Sequence, residues 1–202
     1  MLDVDEGKQA VLLAREAITY KVEKNRSLHS DIGGIFLEKR GVFVTLHLTK
    51  NHILRGCIGI PYPVMTLKDA IIEAAQSVTH DPRFPPLSIK ELNEIIVEVT
   101  ILTKPMLLSA ITPQKFLSSI EIGTHGLIIE YGPYAGLLLP QVPVEQGWNK
   151  EEFLLHTCLK AGLPSHAWQD KNVNIFTFQG QIFTELQPKA DVVEKTINGS
   201  DN

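Results

Sequence analysis

In the stretch Leu54-Arg55-Gly56-Cys57-Ile58-Gly59, a cysteine stands between two glycines with an arginine two residues upstream. Arginine supplies a planar, permanently charged fork that matches a carboxylate or a phosphate. Glycine lets a backbone come close to a ligand. A nearby cation lowers the pKa of a thiol and raises its thiolate fraction. Together these are the parts of a small reactive or anion-binding site. Each has a plainer reading too. Arg55 could clamp an anion or pair with a buried acid, and Cys57 could be a nucleophile or a small packed residue in a tight turn.

Other residues extend the set. His125, between Thr124 and Gly126, enters a strand; it is placed as a general base or as a ring bonded to a backbone carbonyl. Asp81 begins the run Asp81-Pro82-Arg83-Phe84-Pro85-Pro86. An acid before proline starts a turn, so Asp81 is expected to cap or to pair with Arg83. Gln141 follows a proline and could bind substrate or close a loop. Cys158 shares a helical face with Leu154 and Ala161 and reads as core.

Two functions of different class follow from this set. In the first, an enzyme, Cys57 is the nucleophile with His125, or in its place His80, as base, and Arg55, Gly56, Gly59, Asp81, Arg83 and Gln141 bind a small anionic or peptide substrate. In the second, a non-catalytic module holds a peptide or partner protein in the same cleft. That cleft is expected between two subdomains, where small-ligand sites tend to form.

The elements that must position these residues can be read from periodicity. Residues 5–24 carry Val11, Ala14, Ile18 and Val22 at helical spacing. Val42, Val44, Leu46 and Leu48 alternate as a strand, and Ile35 with Leu37 reads as the other arm of a hairpin turning at Lys39-Arg40-Gly41. Leu67 to Val78 is amphipathic, Ser88 and Glu91 fit a capping box, and Ile95 to Leu102 alternates. Thr112-Pro113 starts a helix. A hairpin spans Leu127 to Leu139, and Asn149 with Glu152 caps a helix over 150–161 that stops at Gly162. A last strand pair turns about Gln179-Gly180. Hairpins with helices between them predict an α+β fold with a mainly antiparallel sheet and flanking helices. Residues 1–190 are expected as one domain, and residues 191–202 as a frayed polar tail.

Composition narrows the classes. The 202 residues are 44% hydrophobic with a net charge of −4, which suits a globular core and argues against non-specific nucleic-acid binding. No apolar run is long enough to span a bilayer, and acids occupy the N-terminus where a signal peptide would be basic. A cytoplasmic protein is expected. Two cysteines make no disulfide framework, and the seven histidines show no metal-ligand spacing, so neither a metal nor a cofactor is called for. There is no Gly-x-Gly-x-x-Gly or phosphate-cradling loop.

Read together, several segments resemble the AMMECR family, named for a chromosomal region linked to Alport syndrome, midface hypoplasia and elliptocytosis. They are Gly41-Val42-Phe43-Val44-Thr45-Leu46, Leu54 to Gly59, Asp81 to Leu87, Gly123-Thr124-His125-Gly126-Leu127, Leu137-Leu138-Leu139-Pro140-Gln141-Val142, Trp148, and Lys160-Ala161-Gly162-Leu163. They keep their order from about residue 10 to about residue 186. One mild departure is Thr100-Ile101-Leu102-Thr103, where relatives commonly read Ser-Val-Leu-Thr. The resemblance implies two intertwined subdomains, the larger from both chain ends and the smaller from the middle. It also implies Memo-like or radical-SAM proteins as partners, and it leaves the activity open.

Overall fold

A computed structural model describes residues 1–108 and 112–195. In chain order its elements are α1 (Val4–Lys24), β1 (Val42–Leu48), β2 (Leu54–Ile60), α2 (Leu67–Val78), β3 (Ile95–Leu102), β4 (Met106–Leu107), α3 (Pro113–Ser119), β5 (Gly126–Tyr131), β6 (Tyr134–Leu138), α4 (Gln141–Gln146), α5 (Lys150–Lys160), β7 (Asn174–Phe178), β8 (Gly180–Glu185) and β9 (Val192–Lys195). The fold class is α+β. The chain divides into two compact units: Met1–Leu102 with the strands from Gln181 onward, and the intervening Thr103–Gly180.

The first unit is built on a five-stranded sheet in the order β2-β1-β3-β8-β9. β1 lies antiparallel to β2 on one side and to β3 on the other. Strand alternation sends Val42, Val44 and Leu46 of β1, and Val97, Val99 and Ile101 of β3, to the face covered by the helices. There they pack with Ala10, Ala14 and Ile18 of α1 and with Ala70, Ile71 and Ala74 of α2. α1 begins in a reciprocal capping box between Asp3 and Glu6.

A buried ion pair ties this unit together. Arg15 of α1 bonds both carboxylate oxygens of Glu185 on β8, and further N–H groups reach the carbonyls of Leu92 (3.0 Å) and Ile95 (2.7 Å). Glu185 also accepts from the Val97 backbone N–H at 2.9 Å. A charge out of water is tolerated when it is paired and hydrogen-bonded, and here four of the five guanidinium N–H groups have partners.

The second unit is built on a four-stranded sheet in the order β4-β7-β5-β6. Its core includes Leu127 and Ile129 of β5 with Phe153, Leu154 and Cys158 of α5 and with Trp168. α5 starts in a capping box from Asn149 and Glu152 and is followed by Gly162 at φ +74°.

Three expectations change. Ile35 and Leu37 do not pair with β1, because Gly34–Leu37 is a 3-10 turn that opens at Gly34 with φ +65°. It buries Phe36 and leaves Leu37 exposed. β2, which carries Cys57, takes the place beside β1 with a register that runs from Val42↔Ile60 to His47↔Leu54. The two strands flanking Gln179 form, but β7 belongs to the four-stranded sheet and β8 to the five-stranded one, so they are not a hairpin. The expected frayed tail is ordered in part: Val192–Lys195 pairs with β8, while residues 196–202 lie outside the described residues.

Candidate functional site

β2 stands at the end of its sheet. An edge strand presents peptide groups that no neighbouring strand satisfies. At Cys57 the loop after α2 fills that role. Asp81 Oδ2 accepts from the Cys57 backbone N–H at 2.8 Å, and Arg83 Nη2 donates to the Cys57 carbonyl at 3.1 Å. The two side chains are also locked to each other, Nε to Oδ1 at 3.0 Å and Nη2 to Oδ2 at 2.7 Å, and the Arg83 backbone N–H reaches Oδ1 at 3.0 Å. Acid and arginine thus supply the acceptor and donor that an adjacent strand would supply. Asp81 is buried, and the Arg83 guanidinium holds its carboxyl well below the usual carboxylate range against the opposing effect of burial.

Arg55 is buried and committed. Its Nε donates to Glu91 Oε1 at 2.7 Å and its Nη2 to the Pro85 carbonyl at 2.9 Å. Glu91 is drawn down to about 2 by Arg55, and it also accepts from the Ser88 backbone and hydroxyl. Two cations lie over the Phe84 ring, Arg55 at 5.7 Å and Arg83 at 5.6 Å from its centre. So the arginine clamps the proline-rich loop onto β2.

The two glycines are strand residues with packing reasons. A Cβ on Gly56 would sit 3.0 Å from a Val78 methyl at the end of α2, and one on Gly59 would sit 2.2 Å from the Phe43 ring. Phe43 and Gly59 are register partners, so the ring lies across the glycine.

Cys57 is half-buried, and burial pushes its thiol up. The Thr45 hydroxyl, on its register partner in β1, donates to the sulfur at 3.3 Å and works against that rise, as does the charge of Arg83. Thr45 is in turn the register partner of Glu98 on β3. Glu98 faces His47 at 3.8 Å and Lys195 of β9 at 3.2 Å. Burial raises the Glu98 carboxyl, but His47 and Lys195 together bring it below its ordinary value. The sheet face opposite the helices therefore carries a row of thiol, hydroxyl and carboxylate, flanked by Phe43 and His47. Thr45 stands in one of the family segments but is given no role by it, and His47 and Glu98 are not singled out by motif. The signal for Thr45 and His47 was the other half of β1's alternation, Phe43, Thr45 and His47 between the core valines and leucine, and for Glu98 the one charged residue within β3.

The structure thus gathers Arg55, Gly56, Cys57, Asp81 and Arg83 around one stretch of β2, with Gly59 two residues on. His125 and Gln141 belong to the second unit. His125 Nδ1 accepts from the Glu121 backbone N–H at 3.1 Å, closing the turn through Gly123 that leads into β5. Gln141 opens α4, and its Oε1 is buried with no hydrogen-bond partner among the described residues. Cys158 is fully buried in α5 and burial raises its thiol. Among the described residues no set of His, Cys, Asp and Glu converges as metal ligands, and no helix is long and apolar enough to cross a membrane.

The motifs can now be weighed against known proteins. The AMMECR1 family model matches residues 11–183, most of both units. The chain belongs to the AMMECR1 family. Protein MJ0810 of Methanocaldococcus jannaschii is 50% identical over 198 residues, covering 98% of each chain. Protein MK0488 of Methanopyrus kandleri is 46% identical over 199 residues, covering 97% of this chain and 96% of that one. The crystal structure of an uncharacterized protein from Pyrococcus horikoshii, PH0010, superposes with a TM-score of 0.85 at 41% identity. It covers 96% of this chain and 98% of that chain, so the AMMECR1 fold is shared nearly end to end.

Proposed function

We propose that this AMMECR1 chain acts by binding and not by catalysis, and that the sheet face around Cys57 is its recognition surface for a peptide or partner protein. The observation that carries this reading is the state of the thiol. Burial favours its neutral form, and the one side chain hydrogen-bonded to it among the described residues, Thr45, donates to the sulfur. A threonine hydroxyl is far too weak a base to take the thiol proton, so among the described residues the sulfur has a fixed partner and no hydrogen-bonded base. Arg55 supports the same reading, since its charge is met by Glu91 and a carbonyl. Phe43, Thr45, His47 and Cys57 then offer an aromatic ring, a hydroxyl, an imidazole and a soft sulfur on one surface, a mixture suited to protein contact.

The competing reading, a thiol enzyme with Cys57 as nucleophile and His125 as base, draws support from Arg83, whose charge favours the thiolate. Alkylation of Cys57 by iodoacetamide across pH 6–10 separates the two. A thiol pKa at or above about 8.5 keeps the binding reading, and a value well below it returns the enzyme. The family resemblance nominates the partner to try first, a Memo-like protein from the same organism. Phe43→Ala should weaken that complex at least tenfold by calorimetry while Cys57→Ser leaves it within about twofold.

A further inference from the structure

A concave site lies wholly in the four-stranded unit. Tyr131 at the end of β5, Leu163 and Pro164 after α5, Ala167 in the following 3-10 turn, and Val173 before β7 line an open hollow of about 460 Å³. Leu163 and Val173 are buried, while the Tyr131 ring is 41% exposed. The volume falls within the range of small-ligand pockets, roughly 300–1,000 Å³. An open aromatic wall over an aliphatic floor suits a flat or branched apolar group.

The polar rim is made by His166, Gln169 and Asp170. Asp170 is the lining residue with a full charge. Its Oδ1 accepts from the Asn172 backbone and side-chain amide, each at 2.9 Å, which fixes the carboxylate. Among the described residues nothing donates to Oδ2. An anchored carboxylate with one open oxygen, beside an apolar pocket, complements a cation carried on an apolar body.

We infer that this pocket binds a small aromatic amine: the ring against Tyr131, Leu163 and Val173, the ammonium at Asp170 Oδ2. The test uses three probes on the whole protein, followed by heteronuclear NMR shifts at Ala167 and Val173. Tryptamine should give saturable shifts there. Indole-3-acetate, with the same ring and the opposite charge, should bind at least about fivefold more weakly, the scale expected of one partly exposed charge pair. Asp170→Asn keeps the shape and the bond to Asn172, and should bring the two probes within about twofold. Ala167→Trp should abolish the shifts, with an unchanged melting curve as the control for folding. Acetyl-tryptophanyl-lysine amide tests whether the amine comes instead from a peptide; if it saturates the site and tryptamine does not, the small-ligand inference falls. The inference is also overturned if tryptamine gives no saturable shift, or if Asp170→Asn leaves the preference for tryptamine intact.

Discussion

Two of the carboxylate–guanidinium clamps that grip backbone in the first unit, Arg15–Glu185 and Asp81–Arg83, differ in what surrounds them. Arg15–Glu185 is buried on both sides and joins α1, β3 and β8. Asp81–Arg83 joins a loop to one edge residue, Cys57, with the carboxylate buried and the arginine side chain 54% exposed. The first has side chains only 7% and 2% exposed and serves the fold. The second holds a thiol-bearing peptide in place at a surface. The contrast teaches that the same pair of side chains serves folding where the dielectric is low and site geometry where it is not.

The largest effect should come from breaking the buried clamp. Glu185→Gln leaves the Arg15 charge uncompensated and should cost about 3–5 kcal/mol in urea unfolding. The double change Arg15→Met with Glu185→Leu should recover much of that loss. A Glu185→Gln protein as stable as the parent would mean that the Leu92 and Ile95 carbonyls suffice for Arg15.

Next comes the edge clamp. Asp81→Asn keeps an acceptor for Cys57 but loses the charge pair, and should cost about 1–3 kcal/mol. Its pH signature is separate. Asp81 and Glu91 are held below their ordinary values by Arg83 and Arg55. Their contribution is therefore complete above the unfolded carboxylate value near 4 and is lost as pH falls toward the folded values, about 2 for Glu91. The parent should lose stability from roughly pH 5 downward. Asp81→Asn should flatten that slope, and an unchanged slope would place the acid sensitivity elsewhere.

Thiol reactivity gives a smaller readout of the same difference in burial. Iodoacetamide should modify half-buried Cys57 at least tenfold faster than buried Cys158, and both rates should climb above pH 8, because burial raises both thiols. Mass spectrometry of the native protein measures this; equal protection would mean that Cys57 is as closed as Cys158. The mildest change is Cys57→Ser. Serine is close in size and keeps a partner for Thr45, so the loss should stay within about 1 kcal/mol by thermal melting. A larger loss would make the sulfur a packing atom of the sheet.

Local chemistry was legible wherever a few adjacent residues decide the outcome. The capping box of α5, the glycine that follows that helix and the extended run of β3 depend on neighbours within four residues, and they form where the sequence predicted them, although β3 is buried on both faces. The pairing of Asp81 with Arg83 was equally readable, being two residues apart. What stayed hidden was what those groups do at a distance. Nothing in the spacing tells that Asp81 and Arg83 reach the Cys57 peptide, or that Glu91, thirty-six residues away, takes Arg55.

By itself the sequence determined α1, α2, α3 and α5 but not α4, the strand character of β1, β3 and the β5–β6 hairpin, and a cluster of unusual residues at 54–59, because propensity, capping and periodicity are short-range. Tertiary structure alone decided which strand lies beside which. It put β2, not 34–37, next to β1, so Cys57 meets Thr45 and the row to Glu98 exists. It also sent β7 and β8 to different sheets although a single residue separates them. The reason is that strand pairing is a competition among distant segments for the same backbone hydrogen bonds. It is settled by which register buries the most apolar surface and leaves the fewest peptide groups unmet.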